Sequence, residues 1–227
     1  AVACPPPFQR RLALPLTIIG ASGFVGPDIV KEALARGHQV VAVSRSGKNL
    51  PVDSHLTQAL GDIHDSEWLS GVLNGQDAVI SAYNPGWAES DLFEKFTRGS
   101  NQILTAVKSS GVQRLLVVGG AGSLEVAPGV ELVDTEAFPA NIKPGALGAR
   151  ALRNQLQAEE GQLEWTYLSP AAFLEPGPRT AQFRVGNTSL LMNGDKPASI
   201  SVADLAVAIL DEIEKPQHIR QQFTVAY

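Results

Sequence analysis

The chain has 227 residues, with 18 Lys+Arg against 23 Asp+Glu (formal net charge −5) and 44% hydrophobic against 18% charged residues. That balance excludes wholesale disorder, which needs low hydrophobicity and high net charge, and the length suffices for one large domain. An isoelectric point of about 5.4 argues against nucleic acid as a partner, because such binders carry a basic patch. One cysteine, Cys4, excludes an internal disulfide and a four-cysteine zinc site. His38, His55, His64 and His218 show no HxxxH or HExxH spacing, so no metal site is predicted. This cysteine usage suggests a cytoplasmic protein.

The chain opens on Ala1 and its only methionine is Met192, so residues 1–15 are expected to be an extension that follows processing or was added. The extension reads poorly as a signal peptide: Pro5–Pro7 interrupt it, and Arg10 and Arg11 follow rather than precede an apolar run. No stretch approaches the roughly eighteen apolar residues of a membrane helix, so no membrane contact is expected.

In chain order, Leu16–Gly20 (LTIIG) reads as a strand ended by a glycine, and Phe24–Arg36 as a helix with apolar residues at 25, 29, 30, 33 and 34. Gln39–Val43 is a continuous apolar run, as expected of a strand buried on both faces. His55–Leu60 is a third strand, and Asp65 caps a helix through Leu73. Asp77–Ser81 is a strand, Ser90–Ser110 a long helix closed by Gly111, and Gln113–Val118 a fifth strand. Gly148–Glu160 is a helix, Leu163–Leu168 a strand, Val202–Glu214 a helix capped by Ser201, and Phe223–Tyr227 a last strand. Strand–helix alternation predicts an α/β fold: a Rossmann-type, doubly wound parallel sheet with helices on both faces, in one domain over 16–227. Segments 121–147 and 173–198 break the rhythm and are expected to form a substrate lobe or lid at the carboxyl edge, the second with a hairpin around Gly186–Asn187.

The sharpest motif is Gly20-Ala-Ser-Gly23-Phe-Val-Gly26, between the first strand and first helix. Gly20 lets the chain turn out of the strand, Gly23 lets a pyrophosphate approach the backbone, and Gly26 lets helix and strand pack closely. The helix start offers unpaired N–H groups and partial positive charge to phosphates. A merely structural turn is the competing reading. About twenty residues on, where NAD-preferring proteins place an acid, the sequence has Ser44-Arg45-Ser46. A guanidinium there grips a 2′-phosphate, so NADP is predicted ahead of NAD. The alternative for Arg45 is a solvated loop residue.

Strand–GASGFVG–helix, VSRS, GDIHD (61–65), ISAYNPG (80–86), VVGGAGS (117–123) and LSPAAF (168–173) together resemble an atypical short-chain dehydrogenase/reductase. Within that family the chain is similar to the NADH-flavin-reductase-like and NmrA-like proteins, some of which are labelled epimerase/dehydratase. The resemblance spans 16–227. It implies that Gly20, Ser22, Gly23, Phe24, Val25 and Gly26 line the pyrophosphate and that Arg45 meets the ribose phosphate. It further implies that Asp62 and Ile63 flank the adenine, and that Ser81, Ala82 and Tyr83 pass behind the ribose and nicotinamide. Gly119, Gly120, Ser169, Pro170 and Ala171 would lie near the nicotinamide. For Asp62 a turn or capping carboxylate remains the alternative.

One departure matters. The family's Tyr-x-x-x-Lys pair is missing: Tyr83 is followed at the fourth place by Trp87, Tyr167 by Ala171, and Tyr227 is the last residue. Ser123 matches the family's serine position, and Arg150 stands near the lysine position. Ser123 and Tyr83 are the remaining candidates for catalysis, but a serine alone does not supply a proton at neutral pH. Reduction of a flavin, quinone or similar small-molecule acceptor needs no such acid, because water can supply the proton. Trp87 and Phe173 are candidate stacking walls, with core or lid packing as the alternative. Two other readings stay open: a non-enzymatic NAD(P)-sensing regulator of NmrA type, and a nucleotide-sugar epimerase or dehydratase that uses Tyr83 or His64. A homodimer is compatible with the sequence.

Overall fold

Short β-branched runs and amphipathic runs alternate along the chain, and each folds as its period requires. The computed structural model describes residues 12–159 and 161–227. Cys4 and most of the expected 1–15 extension lie outside the described residues. The elements are β1 (Pro15–Ile19), α1 (Gly26–Ala35), β2 (Gln39–Ser44), β3 (Leu56–Leu60), α2 (Ser66–Leu73), β4 (Ala78–Ser81), α3 (Leu92–Ser110) and β5 (Arg114–Val118). Then come β6 (Glu125–Ala127), β7 (Val130–Glu131), α4 (Lys143–Glu159), β8 (Glu164–Ser169), β9 (Phe173–Glu175) and β10 (Arg184–Gly186). The remainder is β11 (Met192–Asn193), β12 (Lys196–Pro197), β13 (Ser199–Ser201), α5 (Val202–Glu214) and β14 (Gln221–Ala226).

Eight strands form the main sheet in the order β10-β14-β8-β5-β4-β1-β2-β3. All neighbours run parallel except β10 against β14. This is the predicted doubly wound Rossmann-type α/β fold. From β1 the chain moves to β2 and β3 on one side and then returns to β4 and β5 on the other. The order therefore reverses between β1 and β4, and a crevice opens beyond their carboxyl ends, where such sheets bind ligands.

Period-two alternation sends Leu16 and Ile18 to one face with α1 and α5, where Ile29, Val30, Leu205 and Ile209 bury them. Ile19 and Val79 face the other way, onto Leu69, Leu104, Val107 and Trp165. Each such side chain contributes about 1.5–3 kcal/mol when fully buried. The predicted caps are in place: Asp65 accepts from Trp68 N at 3.1 Å, and Ser201 Oγ from Asp204 N at 3.0 Å.

Two expectations are corrected. Helix α4 begins at Lys143, not Gly148, because Pro144 is tolerated in a first turn that has no helical N–H partner to lose. No hairpin turns at Gly186–Asn187. Instead β10 crosses to β14 (Arg184↔Ala226), and the hairpin is β11–β12. Its two-residue loop begins with Gly194 at φ +64°, the left-handed conformation that a tight hairpin demands. The segments over 121–147 and 173–198 are joined: Glu125 N donates to Thr188 O (2.8 Å), and Leu190 N to Glu125 O (2.9 Å). Among the described residues, no helix is long and apolar enough to cross a membrane.

Candidate functional site

The glycine loop sits in the crevice. Ala82 N donates to Ile19 O (2.9 Å), so the loops after β1 and β4 start side by side. Gly20 has φ +76°, and a Cβ there would lie 2.5 Å from Ala82 O. A Cβ on Gly26 would overlap Gly20 O and stand 2.5 Å from the Ala21 carbonyl carbon. Both glycines are therefore required by the protein's own backbone. Gly23 is different: it is exposed, and a Cβ there would meet only Gly20 O, at 3.4 Å. The fold leaves room for a side chain that the sequence omits. Val25, the N-cap of α1, makes no side-chain cap, and Pro27 carries no N–H, so the amides of Gly26 and Asp28 are the first-turn donors without a helical acceptor. Asp28 in the first turn complements the dipole. Ser22 is half-buried beside the loop, and Phe24 is 59% exposed.

Among the residues expected to meet the adenosine, Arg45 is exposed at the end of β2, after buried Ser44, whose Oγ accepts from Gly47 N. Asp62 is exposed and its Oδ1 accepts from His64 N at 2.9 Å, a turn-forming bond that leaves its other oxygen open. Ile63 packs half-buried on the core next to it. Ser81 is the buried last residue of β4, and Ala82 and Tyr83 follow it half-buried. The Tyr83 ring lies on Gly99, 6.1 Å from the Phe96 ring centre, and its hydroxyl donates to Lys95 O at 3.3 Å. Burial pushes the Tyr83 phenol up; Arg45 and Arg98 pull it down, and Asp62 adds to the rise.

The structure places Gly119, Gly120, Ser169, Pro170 and Ala171 beyond the next two strands, β5 and β8, where Gly119 N donates to Leu168 O at 2.8 Å. Pro170 and Ala171 are buried, and a Cβ on Gly119 would overlap the Tyr167 ring. Ser123 is 2% exposed. Gln222 Nε2 donates to Ser123 Oγ (3.1 Å) and Ser169 Oγ (3.0 Å), while its Oε1 accepts from Arg153 (3.3 Å). Arg153 also holds Ser123 O (2.9 Å) and Glu131 (2.6 Å), and Arg150 is held by Glu131 and Asp134. Hydrogen bonding to Arg150 holds the Asp134 carboxyl below its usual range. Tyr167 donates to Ala149 O at 3.0 Å, and burial pushes its phenol up to about 12. The Tyr227 oxygen lies 2.6 Å from Asp204 Oδ2 and 2.9 Å from Ser201 Oγ.

Sequence reasoning did not single out Arg153, Glu131 and Gln222, whose bonds span 22, 30 and 99 positions. The one local signal was an arginine beside Leu152 and Leu156 on the buried face of α4. Among the described residues, no three His, Cys, Asp or Glu side chains converge as metal ligands would.

Comparison with known proteins places this geometry in a family. The model of the NAD(P)H-binding family matches residues 20–214. An uncharacterised Bacillus subtilis protein, YwnB, is 37% identical over 211 residues, covering 92% of this chain and 96% of that protein. A candidate exported protein of Burkholderia pseudomallei is 41% identical, with a TM-score of 0.82 over 94% of this chain and 100% of that one. A candidate NADH-flavin reductase of Streptococcus pneumoniae is 31% identical, with a TM-score of 0.82 over 94% and 99%. The chain belongs to the NAD(P)H-binding family and has a Rossmann-type fold, and the family match begins at the first glycine of the loop after β1.

Proposed function

We propose that this protein is an NAD(P)H-dependent oxidoreductase that reduces a planar, conjugated small-molecule acceptor such as a flavin or quinone, with NADP as the preferred nucleotide. The observation that carries the nucleotide half is Gly23. The fold has space for a side chain there, so the protein's own packing does not demand the glycine, and a pyrophosphate over the helix start gives the bare position a use. Bound NAD(P)H supplies a hydride; the rest falls to the chain. The first amides of α1 orient the phosphates. Exposed Arg45 meets the ribose phosphate, and the residues after β5 and β8 wall the far end.

The acceptor half is supported by the destinations of the phenols. Tyr83 is bonded to Lys95 O, Tyr167 is buried against Ala149 O, and Tyr227 is held by Asp204 and Ser201. Ser123 already accepts from Gln222. Ser123 and Tyr83 thus both have protein partners, and an acceptor protonated by water suits the site. Phe24 and Trp87 are 59% and 55% exposed on the loops after β1 and β4, Phe173 is 51% exposed at the start of β9, and all three offer faces for a flat ring. The name of the Streptococcus relative agrees with this acceptor class.

The test is calorimetric titration with NADPH and NADH, followed by nicotinamide absorbance in a panel of flavins and quinones. Tight binding with turnover is expected. Tight binding without turnover would replace the reductase with a non-enzymatic nucleotide sensor. Binding of neither nucleotide would overturn both.

A further inference from the structure

Nearly every arginine among the described residues is engaged. From Arg36 at the C-cap of α1, which holds Glu32, Asp211 and Glu214, to Arg220 before β14, which holds Leu163 O and Gly161 O, each has a carboxylate or carbonyl partner. Two are exceptions. Arg45 and Arg98 are exposed and form no hydrogen bond or ion pair with another described residue. They come from different elements, β2's carboxyl end and the second turn of α3, yet both flank Tyr83.

Tyr83 follows β4 directly, and the turn of α3 that carries Arg98 packs onto it: Lys95 O receives its hydroxyl, and Gly99 lies against its ring. Arg45 comes from the end of β2, two strand spacings or about 10 Å from β4 across β1. The fields of both guanidiniums reach the Tyr83 phenol, as does that of Asp62. Glu89, which also feels Arg45, is already paired with Lys95 at 2.5 Å. Two guanidiniums and one carboxylate thus act on the Tyr83 phenol.

We propose that Arg98 is a second specificity residue for the nucleotide, and that the 2′-phosphate of NADP is held between Arg45 and Arg98 over the Tyr83 ring. This rests on the nucleotide reading above and adds a residue to it. A phosphomonoester carries up to two negative charges near neutral pH. Two guanidinium forks satisfy it with charge-assisted bonds, and neither must first leave a protein carboxylate. A single free arginine would leave the phosphate half-neutralised beside Asp62. The 2′-hydroxyl of NAD offers Arg98 no such anion, so the second cation favours one nucleotide over the other rather than both.

The experiment is titration of the wild type, Arg98→Gln, Arg45→Gln and the double variant with NADPH and with NADH. Arg98 is exposed and bonded to nothing, so the fold tolerates the change. Arg98→Gln is expected to weaken NADPH about 10- to 100-fold and to leave NADH within about twofold. The NADPH advantage of the wild type should also shrink as salt rises. Equal loss for both nucleotides would overturn the proposal, because Arg98 would then serve the pyrophosphate or the fold. Unchanged NADPH affinity would overturn it as well. A wild type that binds both nucleotides equally would overturn the NADP preference itself, and one that binds neither would overturn the proposed function.

Discussion

The carboxyl edge of the sheet has two contrasting halves. Beyond β1, β2 and β4, backbone donors and side chains stand unpaired: the first amides of α1, one oxygen of Asp62, Arg45 and Arg98. Beyond β5, β8 and β14, polar groups are locked to one another through Arg153, Glu131, Gln222, Ser123 and Ser169. The first half leaves charge and hydrogen-bonding capacity open, which the proposed nucleotide would use. The second is held rigid by its own hydrogen bonds. The difference teaches that a binding site is recognised by hydrogen-bonding capacity left open as much as by the residues present, since buried polar groups otherwise find partners.

Three substitutions break or sharpen that contrast. Gly26→Ala should have the largest effect on stability. Its new Cβ overlaps backbone atoms of Gly20 and Ala21, which no rotamer relieves. A loss of about 3 kcal/mol is expected, read as a fall in melting temperature of about 6–12 °C. Arg153→Met comes next. It removes the partner of Glu131, Ser123 O and Gln222 at one stroke in a largely buried knot. It should cost about 2 kcal/mol in chemical denaturation, and a neutral result would show that the second half is not held by that knot. Gly23→Ala should disturb stability least. Gly23 does not have a positive φ and has room for the methyl group, so stability should stay level or rise by about 0.5 kcal/mol. Nucleotide affinity should nevertheless fall at least about tenfold, as charge-assisted bonds to the phosphates are lost. A Gly23→Ala protein that binds as well as the wild type would remove the main support for a pyrophosphate at the loop.

Much of this was legible from local sequence because the decisive signals are local. The Asp65 and Ser201 caps, the apolar run of β2 and the glycine loop each lie within one or two turns of chain, and each formed where its chemistry requires. What escaped depends on distant partners. Arg184–Gly186 has no period of its own; it becomes a strand because Val225 and its neighbours lie open beside it, some forty residues further on. The glycine at 186 looked like a turn, while the residue that turns is Gly194. The early start of α4 was hidden by Pro144, which reads as a breaker unless the first turn is considered. The Arg153–Gln222–Ser123 knot left almost no trace, since no spacing rule joins positions so far apart. At the site, residue types suggested that Tyr83 and Ser123 could serve catalysis, but only coordinates reveal what each hydroxyl already touches.

The backbone clip at Glu125 has a dynamic consequence. Because its amide and carbonyl both bind the 188–190 stretch, the loops leaving β5 and β8 cannot swing separately. Any breathing that admits an acceptor must either carry both as one flap or rupture two bonds together. Entry and exit would then share one cooperative step, and a single exchange rate, measured at amides on either loop, should describe them both.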